Sequence, residues 1–188
     1  MNDFVIEPEL DTRNLVDVFK GKSNEQVKAE LGVRRNSLEI AIENVEHDFN
    51  VGTIVRSANN FNVGIVHIIG RKKYNRRGAM CTDKYLEIKY WTDFESFVVD
   101  QRARDREIVA IENNTERAKP IHQKIFSKNT TLVFGSEGNG ISAELTVAAD
   151  DVRFIESFGS TRSLNVGVAA GVAMYEWVRQ VVLSLEDN

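Results

Sequence analysis

Short apolar runs alternate with amphipathic stretches along most of the chain after residue 37. Continuous apolar runs are typical of buried strands, whereas apolar residues three or four positions apart mark one face of a helix. An alternation of the two is typical of an α/β domain, with a mostly parallel sheet covered by helices on both faces. The predicted strands are 38–45, 64–69, 86–91, 107–112, 131–134 and 152–155, and the predicted helices are 51–61, 94–104, 142–149 and 164–185.

The first 37 residues have a different pattern and are predicted to form a helical extension of a domain at 38–188. Apolar residues at 15–19 follow candidate caps at Asp11 and Thr12. Ser23 stands three residues before Gln26, which is the spacing of a capping box. Two short helices are therefore expected in this extension.

Composition narrows the classes of protein that the chain can belong to. Its 188 residues carry 24 Lys and Arg against 28 Asp and Glu, a net charge of −4. Cys81 is the only cysteine and His47, His67 and His122 are scattered, so neither a disulfide nor a metal site is expected. The acidic N-terminus and the lack of a long apolar run predict a cytoplasmic protein without a membrane span.

Ligands of open parallel sheets bind at the carboxyl ends of the strands. Asn50 follows the first predicted strand and is expected to cap the next helix, whose apolar residues fall on one face. Arg56 lies on the opposite face, either as a solvated arginine or as a group that holds a phosphate beside the helix N-terminus. The segments that leave the predicted strands are 47–52, 71–78, 135–141 and 156–164.

The segment 135–141 contains three glycines, which allow the main chain to approach a ligand closely. Glu137 places a carboxylate in its middle, and the Gly-x-x-x-x-Gly-Lys pattern of a phosphate-binding loop is absent, so an NTPase is not expected. The glycine spacing also disagrees with a dinucleotide fold. A binding site and a glycine-rich turn capped by Ser142 both remain open.

Ser163 and Asn165 open a long helix that is apolar on nearly every side. Such a helix is expected to be buried all round. Small residues at 167, 170, 171 and 173 would let a second backbone come close, which favours a homodimer, although burial within one subunit is equally compatible.

Three motifs occur in order: Asn50-x-Gly-x-x-x-Arg56, Gly135-Ser-Glu137-Gly-x-Gly-Ile-Ser and Ser163-Leu-Asn165-Val. Together they resemble the motifs of the SpoU/TrmH branch of the SPOUT superfamily, which are RNA ribose 2′-O-methyltransferases that use S-adenosylmethionine (AdoMet). The resemblance implies a C-terminal trefoil knot, an exception to the rule against threaded chains, and an obligate dimer. It implies AdoMet as the cofactor, with no metal, and tRNA or rRNA as the substrate.

The resemblance also implies roles for single residues. The cofactor would be held largely through the main chain of Gly135, Ile155, Leu164 and Asn165, and the catalytic positions would be Asn50, Arg56, Glu137, Ser163 and Asn165.

The chain departs from the family pattern at two positions. Glu156 stands where the family has Pro, and Gly167 stands where it has Ser. Because proline fixes one backbone angle and glutamate does not, a looser turn and weaker cofactor binding are expected at Glu156.

Arg56 is not expected to act as a literal base, since a guanidinium stays protonated. It is expected to bind the adjoining phosphate and to stabilise the developing alkoxide, with Asn50 and Glu137 orienting it.

The segment 71–77 carries five cations directly after a predicted strand. Since most charge runs are solvated loops, its place at the ligand edge is what favours contact with RNA phosphates. Tyr74 is a candidate stacking surface, and Arg34 and Arg35 could extend the patch. The predicted RNA-binding residues are Arg71, Lys72, Lys73, Arg76 and Arg77.

Two other functions remain open at this stage. The chain could bind RNA through the same fold without transferring a methyl group, which binding of AdoMet would test. It could instead methylate a base, as a related knotted branch does, which the position of the methyl group would test.

Overall fold

The sheet positions the site, because all of its strands run in the same direction. The computed structural model describes residues 7–44 and 50–185, and in this part of the chain seven strands form one sheet in the order β3-β2-β1-β6-β4-β7-β5. Every neighbouring pair is parallel. The strands are β1 (Glu39–Asn44), β2 (Ile65–Gly70), β3 (Ile88–Trp91), β4 (Glu107–Ile111), β5 (Lys119–Pro120), β6 (Thr130–Phe134) and β7 (Asp151–Phe154).

The six predicted strands are confirmed, and β5 is an addition that the pattern did not predict. It has two residues, too few for any periodicity, and it pairs only at the sheet edge with β7. Proline is tolerated in an edge strand, because the N–H that it lacks would not be needed for a hydrogen bond to a neighbouring strand.

Five α-helices lie in the described residues, and the four predicted after residue 37 are confirmed. Ser23 and Gln26 form the predicted capping box of the first helix, with both reciprocal hydrogen bonds present. The helices are α1 (Asn24–Val33), α2 (Asn50–Asn60), α3 (Phe94–Ala103), α4 (Ala143–Ala148) and α5 (Val166–Val181).

The other helix predicted in the extension is wrong. Between residues 7 and 22, the part of the extension before α1 that the structure describes, the chain forms only short 3-10 turns, at Pro8–Leu10 and Asp17–Phe19. The carboxylate of Asp11 explains this, because it is buried and accepts backbone N–H bonds from Arg13 and, ten residues on, from Gly21. These local bonds compete with a helical backbone, and they hold the segment as a loop.

Helices cover both faces of the sheet, as the alternating pattern predicts. On one face the buried stripe of α2 and the buried face of α5 pack together over Ile40 and Ile42 of β1. On the other face α3 and α4 pack over Ala41. The alternation along β1 is the period of two that a strand imposes. The trefoil knot stays a prediction.

A buried polar network lies in the sheet away from the carboxyl edge, around His67 of β2. Its Nε2 lies 2.8 Å from the carboxylate of Glu39, and its Nδ1 accepts a hydrogen bond of 2.9 Å from Trp91. Because Nδ1 is an acceptor, the ring proton is on Nε2. Burial lowers the pKa of His67. Burial also opposes ionisation of Glu39, but hydrogen bonds from His67 and Arg104 outweigh it and lower the pKa of Glu39 to about 2.

The lowered pKa of His67 predicts a loss of stability in mild acid. Below the ordinary histidine pKa of 6.5 the unfolded chain binds a proton that folded His67 resists. The free energy of unfolding is therefore expected to fall as the pH drops from about 6.5 to 5.5, by up to about 1.4 kcal/mol per pH unit for one proton. Urea titrations across this range measure the slope. His67→Gln is expected to reduce this slope, and an unchanged slope in His67→Gln would contradict the assignment.

Candidate active site

Three side chains from distant stretches of the chain meet at the carboxyl edge of the sheet. The Nδ2 of Asn50 donates to Glu137, and the Nδ2 of Asn165 donates to the Oδ1 of Asn50 at 2.9 Å and to Glu137 at 3.0 Å. The Oδ1 of Asn165 accepts backbone N–H bonds from Gly167 and Val168 as the N-cap of α5. Because these donors occupy Oδ1, the amide nitrogen of Asn165 must face the carboxylate. We call Asn50, Glu137 and Asn165 the motif cluster.

Asn50 differs from its predicted role in one respect. It was expected to precede the helix as its N-cap, but it is the first residue of α2. Its side-chain amide bridges to the second and third motifs, which a purely local cap would not do.

Main-chain contacts hold the loop that carries Glu137. Ser136 and Gly140 exchange both backbone hydrogen bonds, at 3.0 and 2.9 Å, which closes residues 136–140 into a tight turn. Gly140 has a φ of +67°, and a Cβ on Gly135 would lie 2.0 Å from the carbonyl carbon and oxygen of Gly140. Both positions therefore require glycine. The predicted close approach of a ligand to the main chain of this segment stays a prediction.

Two carboxylates that the sequence analysis missed hold the end of this loop. Glu112, directly after β4, accepts the N–H of Ile141 at 2.9 Å, and Glu43 of β1 accepts the N–H of Ser142 at 2.7 Å. Glu43 is buried. Each of these two apolar strands has a glutamate at or near its carboxyl end, and this was the one signal that could have indicated the contacts. Charged residues are rarely buried without a partner, so such a glutamate is expected to accept hydrogen bonds nearby.

A cavity of about 360 Å³ opens beside the motif cluster. Its size lies within the range of small-molecule pockets, about 300 to 1,000 Å³. All four residues predicted to hold the cofactor line it, as do Glu137 and Ser163, which is exposed. Residues 111–114, the last residue of β4 and the three that follow it, form a further wall that the sequence analysis did not single out. The remaining lining residues are Ser136, Gly138, Asn139, Gly140, Phe154, Val166 and Ala169.

The charge of this cavity fits AdoMet better than a phosphorylated cofactor. Among the lining residues that the structure describes, only Glu112 and Glu137 are ionisable, and both are acidic. Neutral polar side chains, apolar side chains and main-chain groups supply the rest of the wall. Such a lining disfavours phosphates and suits a ligand that carries cationic groups beside an adenosine, as AdoMet does. In the described part of the chain no group of His, Cys, Asp or Glu is arranged to hold a metal ion.

Arg56 lies outside this cavity within one chain. It is exposed on α2, six residues after Asn50, and does not line the cavity. Six residues correspond to about 9 Å along a helix axis. The structure therefore brings four of the five predicted catalytic residues to one cavity or its rim and leaves the fifth on the adjoining surface.

The helix α5 is not buried on every side within one chain, so the alternative of burial inside a single subunit is wrong, and burial against a second copy stays a prediction. Its inner face packs in the core, whereas Val168, Val172 and Tyr175 are 52%, 40% and 52% exposed. Leu164, just before the helix, is 43% exposed and continues this row. We call these four residues the α5 stripe. An exposed apolar row of this kind is a candidate surface for contact with a partner.

The basic segment 71–77 follows β2 at the same edge of the sheet as the cavity. Its five cations are exposed, and Arg76 pairs with Asp83 at 2.6 Å. The stacking role considered for Tyr74 is wrong, because Tyr74 is 8% exposed and packs in the core beside α2. Arg35 does not extend the patch either, since its guanidinium donates to the backbone carbonyls of Val63 and Tyr85.

In the part of the chain that the structure describes, none of the helices has both the length and the apolar character needed to cross a membrane.

The parallel sheet, the cavity at its carboxyl edge and the motif cluster define a protein of the TrmH/SpoU structural class. The crystal structure of the Aquifex aeolicus TrmH/SpoU tRNA modifying enzyme matches with a TM-score of 0.73 and 27% identity, over 84% of this chain and 81% of that one. The chain belongs to the SpoU rRNA Methylase family, whose model matches residues 37–175. The predicted family and α/β fold are confirmed.

Two further proteins are similar to this chain. The curated tRNA (guanosine(18)-2′-O)-methyltransferase of Aquifex aeolicus is 29% identical over 165 residues, which are 85% of this chain and 77% of that protein. The SpoU methyltransferase AviRb of Streptomyces viridochromogenes, solved in complex with AdoMet, matches with a TM-score of 0.67 and 22% identity over 82% of this chain and 64% of that one. The second match supports the fold.

Proposed function

We propose that this chain is an AdoMet-dependent methyltransferase that modifies a ribose 2′-hydroxyl in structured RNA. The observation that carries the proposal is the meeting of Asn50, Glu137 and Asn165 beside a cavity of cofactor size, in a member of the SpoU family. The Aquifex aeolicus relative is named for a tRNA substrate, so tRNA is the first substrate to test and rRNA the second.

The cavity residues would bind and orient the reactants. AdoMet, when bound, supplies the methyl group, and the main chain of Gly135, Ile155, Leu164 and Asn165 is proposed to hold it. Holding two reactants in line contributes roughly 7 to 11 kcal/mol in the best cases. Glu137 accepts hydrogen bonds from both asparagines of the motif cluster, so its carboxylate is fixed in place. We assign it the task of orienting the groups around the ribose.

Arg56 is proposed to stabilise negative charge on the RNA and not to remove the proton of the 2′-hydroxyl. Its guanidinium is protonated throughout the accessible pH range, and its planar fork matches the oxygens of a phosphate. It would bind the phosphate next to the target ribose and stabilise the negative charge that develops on the 2′-oxygen.

Because Arg56 lies outside the cavity of its own chain, the proposed active form is a homodimer. Pairing two copies through the α5 stripe would bury the exposed apolar row, and Arg56 on the neighbouring helix α2 would then lie at the interface. Sedimentation equilibrium is expected to give twice the chain mass of 21.3 kDa. A single-chain mass at micromolar concentration would contradict the dimer.

Position-resolved methylation tests the proposed function. The purified protein is incubated with labelled AdoMet and with transcribed tRNA or rRNA fragments, and the product is digested with alkali, which a 2′-O-methyl group blocks at the modified nucleotide. A resistant dinucleotide is expected. Label on a base would identify a base methyltransferase, and RNA binding without label would identify a binding protein. Comparing 2′-O-methyl marks in cells with and without this protein then locates the natural target.

Neutralising the basic segment is expected to weaken RNA binding and to flatten its salt dependence. Each lost phosphate contact lowers the slope of log K against log salt by about 0.7 to 0.9. The variant carries Arg71, Lys72, Arg76 and Arg77 changed to Gln, and affinity is measured by filter binding at several salt concentrations. Lys128→Gln is the control, because Lys128 is exposed just before β6, at the opposite edge of the sheet. Unchanged affinity at low salt would remove this segment from the RNA interface.

A further inference from the structure

Glu112 is a charged residue in the cavity wall to which the three motifs assign no role. It follows the last residue of β4, and both of its carboxylate oxygens accept backbone N–H bonds: Oε1 from Asn113 at 2.8 Å and Oε2 from Ile141 at 2.9 Å. A Cβ on Gly140 would lie 2.3 Å from Oε2. These contacts fix the carboxylate against the loop that carries Glu137.

Among the described residues that line the cavity, the fixed charge of Glu112 has no cationic partner. The other ionisable residue among the described lining residues, Glu137, is also acidic. Backbone N–H groups satisfy two acceptor sites of Glu112 but do not cancel its charge. The cavity therefore presents a negative potential to its ligand, and this potential is strengthened where the wall excludes water.

We propose that Glu112 is a specificity determinant that makes the cavity favour the cationic methyl donor over the spent product. This inference rests on the proposed function. AdoMet carries a sulfonium and an ammonium against one carboxylate, a net charge of about +1 at neutral pH, whereas S-adenosylhomocysteine has a neutral thioether and a net charge near zero. The two ligands otherwise share their shape, so a fixed anion in the wall separates them by charge. Loss of the methyl group would then weaken binding and help the product to leave.

Calorimetric binding of both ligands in the absence of RNA tests the proposal. Glu112→Gln keeps the size of the side chain and removes its charge. We expect it to reduce the ratio of the Kd of S-adenosylhomocysteine to the Kd of AdoMet by about tenfold relative to the unchanged protein. Glu112→Asp keeps the charge and is expected to retain most of the ratio, even where both affinities fall. Glu144→Gln is the matched control, because Glu144 is exposed on α4 outside the cavity and its loss changes the net charge equally.

The ratio of the two constants separates charge from support of the loop. If Glu112 serves only to hold Ile141, its substitution weakens the binding of both ligands by the same factor. The ratio of the two constants then stays unchanged, and that result would overturn the proposal. If the unchanged protein binds neither ligand, the proposed function itself fails. Circular dichroism of each variant confirms that it is folded.

Discussion

Arg56→Ala is expected to lower the turnover of RNA methylation by about 100- to 1000-fold, the usual loss when one preorganised donor to a developing oxyanion is removed. The side chain is exposed and does not line the cavity, so stability and AdoMet affinity are expected to stay within error of the unchanged protein. Single-turnover rates at saturating RNA measure the chemical step, and urea unfolding with calorimetry measures the other two quantities.

Arg56→Lys separates the charge of this residue from its geometry. Lysine keeps the positive charge but presents no planar fork of donors, so it is expected to recover only part of the lost rate. A lysine variant with undiminished turnover would contradict the phosphate-binding role. A large loss of AdoMet affinity in Arg56→Ala would place the side chain in the cofactor cavity, contrary to the structure of the single chain.

The sequence was most informative where a local pattern decides the structure. Strand periods, helix periods and the capping box at Ser23 depend on neighbours in the chain, and the structure has them within about two residues of the predicted bounds, except that α5 ends at Val181 and not at residue 185. The order of the three motifs also indicated that their side chains converge, since the carboxyl ends of parallel strands share one edge of the sheet.

The missed features depend on register between strands that are far apart in sequence. Glu43 and Glu112 reach the amides of Ser142 and Ile141 because β6 lies between β1 and β4, and no local pattern encodes that order. Tyr74 lies in a basic segment and looked exposed, yet it fills the core beside α2. In both cases the position of the side chain depends on tertiary packing, which the composition of the segment does not reveal.

The two departures from the family pattern each have a partner in this chain. The Oε2 of Glu156 lies 2.7 Å from the Nδ1 of His122, so the carboxylate that replaces the proline has a partner in this chain. A Cβ on Gly167 would lie 3.0 Å from the Cγ2 of Thr53 and 3.2 Å from the Oδ1 of Asn165. The glycine therefore allows α5 to pack closely on α2 while Asn165 stays in the motif cluster, and a serine there would need Thr53 to move.

Gly135→Ala is expected to remove AdoMet binding and RNA methylation together. The added Cβ would lie 2.0 Å from the carbonyl carbon and oxygen of Gly140 and 2.3 Å from the backbone nitrogen of Ile141, and a backbone cannot yield as a flexible side chain does. The turn at 136–140 must open, which displaces Glu137 from its two asparagine partners. Overpacking of this kind costs about 1 to 3 kcal/mol of stability. A displacement of about 1 Å at the site is enough for a loss of roughly 100-fold in rate.

Gly159→Ala is the matched control for this loop substitution. Gly159 lies on the segment that leads from the cavity residue Ile155 to Ser163, and a Cβ there meets nothing within 4 Å. It is expected to leave AdoMet affinity, turnover and stability unchanged, and the same calorimetric and kinetic measurements apply to both variants. If Gly135→Ala bound AdoMet as tightly as its control, the closed turn would be unnecessary for the cavity, and the proposed main-chain contacts to the cofactor at Gly135 would be wrong.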